Sequence, residues 1–469
     1  MPAIRFSRPA AFRATTLRRN HMTVSIISAA PISPINSHQT LVLLLQIGLL
    51  LGLALVLGRL GRRIGVPAVV GELCAGVLMG PSLLAHVAPG LSGWLLPRTP
   101  DQMHLLDAVG QTGVLLLVGV TGMSIDLNLV RRKGIAVARV SAGGLVVPLA
   151  LGVAIGFALP ASLLGAGTDR TVFASFVGVA MCVSAIPVIA KTLLDMRLLH
   201  RNVGQLIISA ATVDDIVGWL LLSVVSAMAT TGVRAGNVAL SVAYLIGVVV
   251  FAWTIGRPAV DTVLRLSARA KEPGVMVAAA VTMVILAAVG TQALGMEAVL
   301  GAFYGGILIG SSKWIDRERL VPLRTFVVAV LAPLFFATAG LRMDLTALGR
   351  PVVLGAAILV LLIAILGKFV GVYVGARAGK FDHWGALALG AGMNARGVIE
   401  VIIAMVGLRL GVLSAEVYTI IILVAVVTSL MAPPILRLTM ARVEHTAEEL
   451  LREAPYEVAS EVIGGGRHE

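Results

Sequence analysis

The chain has 469 residues, of which 58% are hydrophobic and only 13% charged, with a formal net charge of +13. That composition excludes a soluble globular domain and implies an all-α integral membrane protein. The positive charge could suit nucleic acid, but its placement along the chain reports membrane topology instead.

Residues 1–39 read as an N-terminal tail carrying Arg5, Arg8, Arg13, Arg18 and Arg19 with no acid. Met22 follows at once, and no Lys or Arg occurs from there to residue 39. A true start at Met22 is the favoured account; a cleaved Arg-rich targeting peptide and a genuine tail are the alternatives. From 40 to 437, apolar runs of about 20 residues predict transmembrane helices. Thirteen spans are expected, near 40–60, 66–86, 103–124, 134–159, 171–193, 203–229, 236–256, 273–293, 297–312, 322–341, 350–376, 384–408 and 416–437. They are numbered 1 to 13 below. Span 9 (GAFYGGILIG) is short and glycine-rich, so its limits are the least certain. Residues 438–469 form a charged tail, expected to be too short for a nucleotide-binding regulatory domain.

With the N-terminus outside, basic residues collect on the cytoplasmic side, among them Arg62, Arg63, Arg131, Arg132, Lys133, Arg265, Arg269, Lys271, Lys313, Arg317 and Arg319. The opposite side holds Arg98, Arg170, Arg234, Arg342, Arg350 and Arg409. This bias is the positive-inside rule, and it places the C-terminus in the cytoplasm. No nucleic-acid partner is expected. Cys74 and Cys182 lie within spans and read as free thiols packed as small hydrophobes. No histidine lies at a span centre and no metal-ligand spacing occurs, so neither haem nor any other cofactor is expected.

Two spans carry breaks. Span 5 reads CVSAIPVIAK, with Pro187 removing a backbone donor in mid-helix. Span 12 reads GAGMNARGVIE, where Gly390, Gly392, Asn394 and Gly397 weaken the helix around a polar centre. Irregular backbone at membrane depth survives only when buried in protein or lining a wet cavity. Each break alone is consistent with an ordinary kink. Seven spans apart, the two broken helices must run in opposite directions, the mark of an inverted repeat that pairs spans 4–6 with 11–13.

Asp214 and Asp215 sit side by side in the middle of span 6. One carboxylate at the bilayer centre costs roughly 2.5–3.5 kcal/mol, and neighbouring like charges oppose each other's ionisation. Such a pair points to a site for protons or cations. Lys368 in span 11 either pairs with these aspartates or snorkels to the cytoplasmic interface. Arg396 and Glu400, four apart in span 12, are expected to neutralise each other and brace the broken helix. Glu72 near the cytoplasmic end of span 2 either partners Arg396 or lines an entry path, and Asp107 reads as a solvated or capping residue. Ser184 and Thr212 are candidate cation ligands, and Pro187 and Asn394 mark the breaks.

Four stretches carry a family resemblance. They are 180–219 (AMCVSAIPVIAKTLLDMRLLHRNVGQLIISAATVDDIVGW), 66–85 (VPAVVGELCAGVLMGPSLLA), 332–345 (APLFFATAGLRMDL) and 390–404 (GAGMNARGVIEVIIA). In this order they resemble the monovalent cation:proton antiporter-2 family, within the sodium/hydrogen exchanger superfamily, especially its plant cation/proton exchanger branch. The resemblance covers 40–437. It implies the sodium/proton-antiporter fold, with two crossing broken helices in a mobile core beside a dimerisation domain, and hence a homodimer in a cell (inner) membrane. It assigns the essential ion-binding carboxylate to Asp215. The Asp at 214 resembles the electrogenic members, and Lys368 corresponds to a core lysine that pairs with an aspartate when no cation is bound.

The expected function is exchange of Na⁺ or K⁺ for protons, with the carboxylate pair binding either ion in turn. The rival reading is a solute–cation symporter on the same inverted fold. An intramembrane aspartyl protease would need its acids facing each other from separate helices; neighbours on one helix diverge by about 100°. A channel is the remaining alternative, and nothing in the sequence distinguishes Na⁺ from K⁺.

Overall fold

The computed structural model describes residues 35–96, 100–233, 235–446 and 449. The arginine-rich part of the N-terminal tail lies outside them. The described residues form helices with no strand beyond one isolated bridge, Leu164 to Leu413. Among them, 11 helices are long and apolar enough to cross a membrane, and up to 12 when the bent pair His383–Met393 and Val398–Arg409 counts as one. The chain is a multi-pass membrane protein. The count of thirteen full spans is not reproduced, because span 9 is the shorter helix Ala298–Gly310. At 1.5 Å per residue it reaches only about 20 Å, less than the hydrocarbon layer.

The helices sort into two bundles by what they touch. Spans 1–3 pack with spans 8–10, while spans 4–6 pack with spans 11–13. Small residues set the closest approach within the second bundle. A Cβ on Gly143 of span 4 would lie 2.1 Å from the Gly371 carbonyl of span 11, and one on Gly371 would lie 2.2 Å from the Gly143 carbonyl. Lipid supplies no hydrophobic drive between helices, so such backbone contact and van der Waals packing hold them together. This contact also brings the Lys368 side chain against the carbonyl of Gly144.

Span 7 contrasts with the rest. Its helix over Ala239–Arg269 has only 6% of its apolar window buried within the chain, and it carries exposed Tyr244, Ile246, Phe251, Trp253 and Ile255. Both cysteines are free thiols, as expected, although only Cys182 is buried.

Candidate functional site

Span 5 is two helices, Arg170–Cys182 and Ile186–Asp195, with Pro187 in the first turn of the second. Proline is tolerated there because the first-turn amide lacks an intrahelical acceptor. Span 12 is likewise split, into His383–Met393 and Val398–Arg409, bent by 44°. The two breaks touch. The Ala185 N–H donates to the Ala395 carbonyl at 3.2 Å, and Ser184 Oγ lies 2.8 Å from the Met393 carbonyl. Each extended segment thereby satisfies part of the other's freed backbone, the condition for irregular chain at membrane depth.

Asp214 and Asp215 lie beside this crossing on the helix Asn202–Thr231, and both are fully buried. They do different things. Asp214 Oδ2 accepts from Lys368 Nζ at 2.7 Å, within hydrogen-bond reach of Ser184 Oγ at 2.9 Å. Lys368 Nζ also donates to the carbonyls of Cys182 at 2.6 Å and Gly144 at 2.9 Å, so all three ammonium protons are used. Snorkelling is excluded, since Lys368 is 0% exposed. Neither carboxylate oxygen of Asp215 has a hydrogen-bond partner. The side-chain oxygen and nitrogen of Asn394, which caps the first half of span 12, are also buried and unpartnered.

Both cations reach carbonyls in the last turn of Arg170–Cys182, where that helix's dipole is negative. Lys368 meets the last carbonyl of Arg170–Cys182, and the Arg396 guanidinium donates to Ala180 O at 3.2 Å and Ala364 O at 3.0 Å. Glu400 takes the opposite pole, accepting from the Gly397 N–H at 2.8 Å at the start of Val398–Arg409. Arg396 and Glu400 therefore form no direct ion pair, although their opposite charges still act on each other across the break. The four-residue spacing assumed a continuous helix, and the break between Met393 and Val398 removes it. Arg396 does brace the break, tying it to spans 5 and 11.

Other expected placements change as well. Glu72 lies in the first bundle against Gly58 of span 1 and does not partner Arg396. Asp107 caps nothing; its carboxylate binds Arg342, just past the end of span 10, with Oδ2 at 2.5 Å. Thr212 is buried one turn from Asp215 and donates to the Ile208 carbonyl at 2.8 Å, leaving its lone pairs available. A cavity of about 430 Å³ lies between the bundles, lined by Asp107, Glu297, Thr338, Arg342, Met405 and Arg409 among others. At its edge Arg409 of span 12 reaches Glu297, before span 9, at 2.7 Å, an ion pair joining the bundles.

Sequence reasoning also missed a contact at the other end of span 6. Glu449 accepts from the Asn202 N–H at 2.5 Å and lies 3.3 Å from Arg201 Nε, so the C-terminal tail caps the helix that carries the aspartates. Burial would raise the Glu449 carboxyl, but the N–H groups of Thr446 and Asn202 and the Arg201 charge outweigh it and hold the group below its ordinary value. No local pattern signals such pairs, because their members lie hundreds of residues apart.

Two oppositely oriented broken helices crossing beside a buried carboxylate pair define a secondary transporter of the inverted-repeat class. The chain belongs to the sodium/hydrogen exchanger family, whose transmembrane model (Sodium/hydrogen exchanger, transmembrane) matches residues 49–442. It is 33% identical over 407 residues to the Na⁺/H⁺ antiporter NhaS4 of Synechocystis sp., covering 85% of this chain and 97% of that relative. It is 29% identical over 399 residues to the Na⁺/H⁺-K⁺ antiporter GerN of Bacillus cereus, covering 84% and 95%. The cation/H⁺ antiporter 17 of Arabidopsis thaliana is 27% identical over 401 residues, covering 85% of this chain but 48% of the plant protein, so the chain spans about half that relative's length. Among solved structures, the sodium proton antiporter MjNhaP1 from Methanocaldococcus jannaschii at pH 8 matches with a TM-score of 0.64 at 16% identity, covering 86% and 97% of the two chains. That last likeness shows a shared fold.

Proposed function

We propose that the chain exchanges a monovalent cation, Na⁺ or K⁺, for protons by alternating access, with Asp215 as the ion-binding carboxylate. The observation that carries this reading is a charge imbalance. The fully buried centre holds three acids, Asp214, Asp215 and Glu400, against two bases, Lys368 and Arg396. Asp214 is paired, Glu400 caps a helix, and Asp215 has neither oxygen engaged. A lone carboxylate in such surroundings needs either a proton or a cation, and competition for the same oxygens couples the two ions. Asp214, Asn394, Ser184 and Thr212 are the groups that can complete a cation's oxygen shell, with Pro187 opening the broken helix beside them. The names of the similar proteins favour exchange over the symport reading.

Cation entry between the aspartates displaces Lys368 from Asp214. One proton then leaves Asp215 and a second leaves the Lys368 ammonium, which has lost its counter-charge. Two protons against one cation makes the cycle electrogenic. The protein acts as a transporter and not as an enzyme, in a cell (inner) membrane with its N-terminus outside and C-terminus in the cytoplasm. It forms a homodimer that leaves the remaining apolar surface to lipid, and the poorly buried span 7 suits the subunit interface.

The test is cation-dependent proton flux in proteoliposomes, with each alkali cation in turn. Asp215→Asn should abolish it for every cation. Normal exchange by this variant would sink the assignment.

A further inference from the structure

A buried hydroxyl on a helix has a partner close at hand, the carbonyl one turn back. Ser209 and Thr212 of span 6 use it, each at 2.8 Å. Ser223 and Ser226 do not. Their side chains are 2% and 3% exposed, and neither Oγ has any partner. The indole Nε1 of Trp219, one turn nearer the aspartates and in a residue 2% exposed, is also unpartnered. Buried polar groups in native proteins are bonded to protein or to ordered water. Three orphans in succession on one helix need a common account.

They share a face. At 100° per residue, positions 215, 219, 223 and 226 fall within an arc of about 80°. Thr230, which is exposed, continues the same face to the end of the helix. Successive members stand about 4.5–6 Å apart along the axis, a separation that one bridging water can span. The Gly218 contact with Val183 marks the side of this helix that faces span 5, and the far side of the arc faces the first bundle, where the Trp219 ring meets Phe303 at 5.9 Å. It is distinct from the cavity of about 430 Å³, whose lining comes from spans 3, 8, 9, 10 and 12.

We propose that Trp219, Ser223 and Ser226 line a hydrated route connecting Asp215 to the membrane face at the Thr231 end of span 6, with the Trp219–Phe303 contact as its narrowest point. Waters held by the two serines and the indole N–H would carry protons to and from Asp215. The proposal rests on the reading of Asp215 as the ion site, but its test does not depend on transport.

The full chain with Cys74→Ala is reconstituted, and Ser223→Cys, Ser226→Cys and Val225→Cys are made one at a time. A membrane-impermeant methanethiosulfonate is then added from either side. Only a thiolate reacts, and a thiol in dry apolar surroundings stays inert. The expected result is labelling of positions 223 and 226 from the Thr231 side, at least about tenfold faster than Val225→Cys, which lies about 120° round the helix from the centre of the face. The native Cys182, 0% exposed, serves as a dry internal control. In the unsubstituted chain, hydroxyl-radical footprinting should oxidise Trp219 but not the equally buried Phe173. Labelling at the rate of Val225→Cys, labelling only from the Asn202 side, or an unoxidised Trp219 would each overturn the route. Failure of Asp215→Asn to stop exchange would overturn the site and leave these results standing.

Discussion

Replacing Lys368 by alanine removes an ammonium whose three protons are all committed, to Asp214 Oδ2 at 2.7 Å, Cys182 O at 2.6 Å and Gly144 O at 2.9 Å. Both members of the ion pair are 0% exposed. Breaking a buried pair from one side costs about 3–5 kcal/mol, because the surviving charge is stranded. Asp214→Asn strands the ammonium instead and should cost a similar amount. The double variant strands neither, so its loss should fall short of the sum of the two single losses by about 2–3 kcal/mol. Unfolding in mixed micelles titrated with SDS measures all four corners of this cycle. The pairing argument fails if Lys368→Ala unfolds at the parent's SDS fraction, or if the two losses add. The same variant tests coupling. Without the lysine proton, exchange should become electroneutral, and a potassium–valinomycin clamp should no longer alter its rate. A potential-dependent rate in Lys368→Ala would remove the lysine from the transport scheme.

Three other outcomes follow from the geometry. Asn394→Ala should raise the cation KM about tenfold, the loss of roughly one polar contact in a dry site, while proton coupling persists; initial rates over a cation series decide, and an unchanged KM removes Asn394 from the shell. Gly143→Ala places a Cβ 2.1 Å from the Gly371 carbonyl, so span 4 must move off span 11, at a cost of about 1–3 kcal/mol; SDS titration should show it, and parent-like stability would refute the close contact. Because the folded-state pKa of Glu449 is lowered, its cap on span 6 is present above the ordinary carboxylate value and is lost as pH falls through the lowered one. Hydrogen exchange at 443–446 should therefore be slow at neutral pH and mildly acidic pH alike, and fast at every pH in Glu449→Ala.

Much of this was legible in one dimension. Apolar runs report the spans because lipid cannot satisfy an open backbone, and a carboxylate inside such a run is too costly to be incidental. The two breaks showed their opposed orientation through the count of spans between them. Helical spacing failed where the helix itself failed: Arg396 and Glu400 are four apart, but the break turns one toward the carbonyls of Ala180 and Ala364 and the other toward the Gly397 N–H. Span 9 was counted by its composition, and its helix, Ala298–Gly310, is only 13 residues long, so residues flanking the helix must complete the crossing.

The sequence by itself determined that this chain crosses a membrane many times and holds two acids in its middle, since hydropathy and the cost of buried charge are local properties. Only the tertiary structure decided which acid is engaged. Adjacent positions on a helix point about 100° apart, so one faces Lys368 and the other does not, and that choice depends on how span 11 packs through Gly371 against span 4. The ion pairs Asp107–Arg342, Glu297–Arg409 and Arg201–Glu449 were invisible for the same reason. Each joins segments whose proximity is created by packing and by nothing in the local chain.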